Sequence, residues 1–105
     1  MSYVIKDVRR VREYQLKKGY DADHDDQHTR AELTDAAIAF VVAGDLITLE
    51  NEAKGHRYAP ELLWPWKDTT FKPAEAARDN YIEAIALLVA EVERIDRIDM
   101  REYPD

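Results

Sequence analysis

No cysteine occurs among the 105 residues, so disulfides, a thiolate nucleophile and cysteine-based zinc sites are all excluded. Ser2 is the only serine, which leaves Ser/His/Asp catalysis without a plausible nucleophile. Three glycines are too few and too scattered for a phosphate-cradling loop. No run approaches the roughly 18 apolar residues of a membrane span. The opening "MSYVIKDVRR" also lacks the apolar stretch of a signal peptide. The expectation is a cytoplasmic protein with no membrane partner.

The residues that are present describe one modest core. A hydrophobic share of 46% with ten aromatic side chains is enough for a single domain of this length, 1–105, despite a net charge of −7. The charge is unevenly spread. Residues 1–20 carry six cations against two acids, a balance of +4, whereas residues 21–35 carry six acids against Arg30, a balance of −5. A globally acidic chain is repelled by a phosphate backbone, which disfavours nucleic acid as a partner.

Helical spacing dominates the apolar pattern. Val4, Val8 and Val11 recur every three or four residues, predicting a helix over 3–18 that Gly19 ends. Thr29-Arg-Ala-Glu32 fits a capping box, which predicts a second helix from about residue 30 to 43 with Asp26 and Thr29 at its cap. Leu46, Ile47 and Leu49 fit a short strand or, preferably, a helix continued toward Gly55. Residues 56–73 hold Pro60, Pro65 and Pro73 among Tyr58, Trp64, Trp66 and Phe71, which predicts a structured loop with aromatic anchors. Tyr81, Ile85, Leu88, Val92 and Ile95 follow 4-3-4-3 spacing and predict a last helix over 74–99. The fold class is therefore all-α, a small three- to four-helix bundle with a long aromatic and proline-containing loop before the C-terminal helix. A helix of some 26 residues is about 39 Å long, and its surplus apolar stripe invites a homodimer or higher homo-oligomer.

Chemistry-bearing residues cluster in three places. "DADHDDQH" puts four aspartates and two histidines into eight positions. His24 and His28 have the spacing of helix-borne metal ligands, and Asp25 and Asp26 add hard oxygen donors. The capping box instead places both histidines in a loop, where aspartates make turns and favour the following helix dipole. "WPWKDTTFKP" sets Trp64, Trp66 and Phe71 near Lys67, Lys72 and Arg78, so rings that stack a base lie beside cations that meet phosphate. The alternative is that these rings simply plug the open end of the bundle. Glu32 and Asp35, with Glu91 on the last helix, could together hold a magnesium ion, although such acids are also the ordinary solvated face of a helix.

The order "KKGYDADHDDQHTRAEL", an alanine-rich helix, "WPW", "FKP", and "IALLVAEVERIDR" resembles a family of small uncharacterised proteins encoded by phages and prophages. In that family a Gly-aromatic pair precedes an HDD-x-H stretch and a G-E-L helix start. Ala31 stands here where the glycine is usual, a change expected to matter little. More distantly, the outline is similar to MazG-like all-α nucleotide pyrophosphohydrolases, which hold magnesium through E-E-x-x-E and E-x-x-D patterns. Only Glu32 and Asp35 supply such a pair here.

The first resemblance implies an accessory protein acting by binding, against host defence, in the host cytoplasm. The leading expectation is a binder of a nucleotide-like small molecule, without turnover and without cofactor. His24, Asp25, Asp26, His28, Trp64, Trp66, Lys72 and Arg78 are the residues expected at its site. One alternative is a magnesium-dependent nucleoside triphosphate pyrophosphohydrolase using Glu32, Asp35 and Glu91. The other is an acidic inhibitor of a host protein.

Overall fold

The structure, a computed structural model, describes residues 2–49 and 59–102. Among these residues five α-helices follow in order: α1 (Ser2–Lys17), α2 (Ala22–Asp25), α3 (Glu32–Leu49), α4 (Pro60–Leu63) and α5 (Ala77–Glu102), with a 3₁₀ turn at Asp68–Thr70 before α5. The fold is all-α, and among the described residues there is no strand. No helix among them is long and apolar enough to cross a membrane.

Helix α3 lies along α5 through small side chains. Ala36, Ala37, Ala39 and Ala43 are buried on α3, as are Ala84, Ala86 and Ala90 on α5. Without long side chains between them the two backbones approach closely. Gly44 is one point of close approach, since a Cβ there would stand 2.8 Å from Cε1 of Tyr81. This glycine lies inside α3 and does not end it, and the helix continues to Leu49, in line with the helical reading of the 45–49 stretch. Gly55 and the other residues of 50–58 lie outside the described residues. Helix α1 covers a second strip of α5, with Val8 against Ile82 and Ala86, flanked by Val4, Val11 and Val89.

Three boundaries carry the site. Helix α1 ends in a Schellman motif, with Gly19 at φ +94. The Tyr20 amide donates to Gln15 O at 2.9 Å and the Gly19 amide to Leu16 O at 3.1 Å. Helix α5 begins three residues later than its apolar pattern suggests, because fully buried Asn80 binds the preceding loop. Asn80 Oδ1 accepts from the Ala74 amide at 2.8 Å, and its Nδ2 donates to the carbonyls of Ala74 and Ala76 at 2.9 and 3.2 Å.

The third boundary corrects the expected cap of α3. Ala31 is its N-cap, the carbonyl accepting from the Asp35 amide at 2.8 Å, and it is the one non-glycine among the described residues with positive φ, at 65°. Glu32 reaches back to the Arg30 amide and not to that of Thr29. The left-handed turn at Ala31 throws Thr29 outside the helix, and Asp26 is engaged elsewhere, so neither caps α3. Alanine at this position is therefore not equivalent to glycine, since a Cβ in the left-handed region costs about 1–2 kcal/mol. Ala31→Gly is expected to raise stability by about 0.5–1 kcal/mol in urea unfolding, the gain being trimmed by the greater freedom of glycine in the unfolded chain.

Candidate functional site

The chain emerging from the Gly19 turn winds at once into α2. Asp21 caps this single turn, its Oδ1 accepting from the His24 amide at 3.1 Å. The turn restores meaning to the four-residue spacing of the histidines, which the loop reading had removed. Their rings pack edge to face at 4.9 Å between centroids. Tyr20 lies 4.9 Å from His24, and His28 lies 5.0 Å from Trp66. Trp66 in turn meets Trp64 at 5.0 Å, and Trp64 lies 5.7 Å from Phe40 and 4.8 Å from Phe71. Seven rings thus form a connected row from the end of α1 to the core, where it ends on Phe40 and Phe71.

The two halves of the aromatic segment differ. Phe71 is a core residue, packed with Phe40, Ala37 and Ala84, so for this ring the plug reading is the right one. Trp64 is fastened by Nε1–H to Thr70 Oγ1 at 2.9 Å. Trp66 lies beyond the core cluster, against His28.

Beside this row is a cavity of about 490 Å³. Tyr14, Tyr20, His24, His28, Trp64 and Trp66 supply its aromatic lining, and Leu33, Phe40, Leu87 and Ala90 its aliphatic and deep walls. Four charged groups line it as well: Asp25, Glu83, Lys18 and Lys72. The cavity therefore gathers His24, Asp25, His28, Trp64, Trp66 and Lys72 of the sequence-derived candidates. Asp26 and Arg78 are not among its lining residues. Asp26 accepts both Nε and Nη2 of Arg97 at 3.1 and 2.8 Å, fixing α2 to α5. Arg78 pairs with Asp7 at 2.8 Å beside a second, more polar cavity.

The carboxylates weighed as magnesium ligands are each paired or turned to solvent. Glu91 takes Nε and Nη2 of buried Arg94 at 2.7 and 3.0 Å, and Glu32 takes the Arg30 amide with His28 Nδ1 at 3.8 Å. Asp35 is exposed. Among the described residues no three histidine or carboxylate side chains come together as a metal-binding group.

Two features of the cavity wall work against stability. Asp25 has a side chain only 4% exposed, with His24 Nδ1 at 3.5 Å and Arg12 Nη2 at 4.0 Å. Arg12 is shared with Glu93 at 2.8 Å and Gln15 at 2.7 Å. Among the described residues Asp25 Oδ2 and His28 Nε2 are the buried side-chain polar atoms without a hydrogen bond. Burial pushes the Asp25 carboxyl above its ordinary 3.8, and the nearby His24 and Arg12 only partly offset this. Glu83 is likewise pushed above its ordinary 4.5, by burial and then by the charge of Asp79.

Tyr14, Tyr20, Lys18 and Glu83 escaped the sequence reading. Glu83 was nevertheless detectable in the pattern, because Ile82, Ala86 and Ala90 define the inner stripe of α5 and Glu83 falls within it at helical spacing. Comparison with protein-family models, with curated proteins and with solved structures gave no match. The functional reading therefore rests on geometry.

A raised carboxyl pKa has a defined consequence for folding. Above pH 3.8 the folded state holds the Asp25 proton more tightly than the unfolded chain does, so stability is fullest below that pH and falls as pH rises through the folded-state value. Asp25→Asn has no charge to desolvate. Urea unfolding across pH 3 to 7 is expected to show the variant gaining on the parent as pH rises; a gap that stays constant would contradict the assignment.

Proposed function

We propose that the protein binds a nucleotide-like small molecule in this cavity without turning it over. The observation that carries the reading is the row of rings running into a cavity of about 490 Å³ that also presents Lys18 and Lys72. Aromatic faces favour a planar base, and two ammonium groups favour phosphate. The volume lies within the roughly 300–1,000 Å³ of small-molecule sites. The pairing of Glu91 with Arg94 supports binding over magnesium-dependent hydrolysis, since among the described residues the three acids form no metal-binding group. With the resemblance to small phage proteins, the reading extends to an accessory protein that withholds such a molecule in the host cytoplasm.

The test is thermal stability with nucleoside mono-, di- and triphosphates, cyclic dinucleotides and ADP-ribose, with and without magnesium, read together with product formation. Ligand at 100 times its dissociation constant adds about 2.7 kcal/mol of stability. The expected result is a shift without product that Trp66→Ala abolishes and Arg78→Ala leaves intact. Magnesium-dependent pyrophosphate release would replace the reading with the pyrophosphohydrolase. Absence of any shift would favour a host protein docking on the acidic surface.

We also propose that two copies associate through the outer face of α3 and α5. Ile38, Val41 and Asp45 share one side of α3, while Tyr81, Ile85, Leu88, Val92 and Ile95 share one side of α5, and the hydrogen bond from Tyr81 to Asp45 joins the two faces. The six aliphatic side chains there are 37–55% exposed. They amount to roughly 500 Å² of apolar surface, at the upper end for a monomer. A stable interface buries roughly 800 Å² per partner, and these side chains would form its apolar centre. Sedimentation equilibrium is expected to show a dimer that Leu88→Glu converts to a monomer with unchanged helicity. A parent chain that stays monomeric at high micromolar concentration would remove the claim.

A further inference from the structure

Glu83 is an unusual occupant of its position. Leu87 and Ala90, one and two turns further along α5, line the same cavity, so this wall runs for about 10 Å and begins at a carboxylate. The surroundings do not neutralise it. The nearest arginines of the adjoining polar cavity serve Asp7, Arg78 at 2.8 Å and Arg10 at 3.7 Å, and Asp79 contributes a like charge. Among the described residues Glu83 makes no hydrogen bond or ion pair. An ionised carboxylate is purely an acceptor, and this one, partly screened but not sealed from solvent, keeps open lone pairs on the cavity wall. It calls for a ligand that brings the donors.

We infer that Glu83 reads the base of the bound molecule and that the ligand class is a guanine nucleotide. The inference rests on the cavity being a nucleotide site. Guanine carries an imino N–H and an exocyclic amino group side by side on its pairing edge, so one carboxylate can accept from both. Adenine places an acceptor nitrogen at the corresponding position, and uracil flanks its single N–H with two carbonyls, so each turns at least one lone pair toward the carboxylate. Tyr20, His24 and Trp66 offer faces to a purine, and Lys18 and Lys72 meet the phosphate. A purely cationic ligand would suit the rings and the acids, but the two lysines that line the same space oppose it.

The purified full chain is titrated by calorimetry with GMP, IMP, AMP and UMP in magnesium-free buffer. IMP is the decisive probe because it differs from GMP only by the missing amino group. A charge-assisted hydrogen bond left unmade costs about 10- to 100-fold in affinity, so IMP is expected to bind at least about tenfold more weakly than GMP, and AMP and UMP about 100-fold more weakly. Glu83→Gln is expected to lower GMP affinity by about tenfold or more and to raise AMP affinity, since the amide can donate to the adenine acceptor nitrogen, which narrows the preference. The GMP-to-IMP ratio is measured on the parent chain and does not depend on any variant folding. Four equal affinities would overturn the base reading and leave the nucleotide site standing. No binding by any of the four would overturn both, as would agmatine, a guanidinium without phosphate, binding more tightly than GMP.

Discussion

The close approach of α3 to α5 is the constraint from which the site follows. Alanines on both helices, with Gly44 under the Tyr81 ring, bring two long helices together with little side-chain volume between them. Helix α1 packs on a different strip of α5 through valines and Ile82. The space between these two packings is therefore too wide for small residues to close. Phe40, Phe71 and Trp64 fill its inner part, and the remainder is the cavity.

That remaining space is bounded by charge as well as by rings. Arg97 binds Asp26 and Arg12 binds Glu93, so the acidic turn and the first helix are both fastened to α5 by long-range ion pairs. Partly exposed pairs of this kind contribute little to stability on their own. Their effect is positional, since they hold α2 against the bundle and with it the two histidines. Asp25 and His28 carry the buried polar atoms left without a partner among the described residues, and both line the cavity, as does Glu83. Buried polar groups that lack partners are costly for folding, and here both lie on one concave surface.

The same residues show why charge type alone misassigns roles. Arg78 and Lys72 stand six residues apart around Pro73, and both looked suited to phosphate. Lys72 lines the cavity, whereas Arg78, on the first turn of α5, faces Asp7 of α1. Asp25 and Asp26 are sequence neighbours with opposite surroundings, one sealed in the cavity wall and the other bound by a guanidinium. A helical step of 100° separates adjacent side chains enough to send them to different partners.

Helical periodicity and punctuation by themselves determined the all-α class, the three long helices and the stop at Gly19, because these depend on local geometry and on which residues must leave water. The cluster of His24, Asp25 and His28 with Trp64 and Trp66 was also legible, since rings and acids of that density are costly unless gathered at one place. Tertiary structure alone decided the cap. The chain must turn left-handed at Ala31 to pass from the anchored acidic turn into α3, and that need arises from where α2 is held. It likewise decided that Gly44 lies inside a helix, because the reason for it is a ring 37 residues away on α5. It decided, finally, that Glu83 is a cavity residue, since whether an acid on an inner stripe meets a cation or an open space depends on how far apart α1 and α3 stand, and no local pattern encodes that distance.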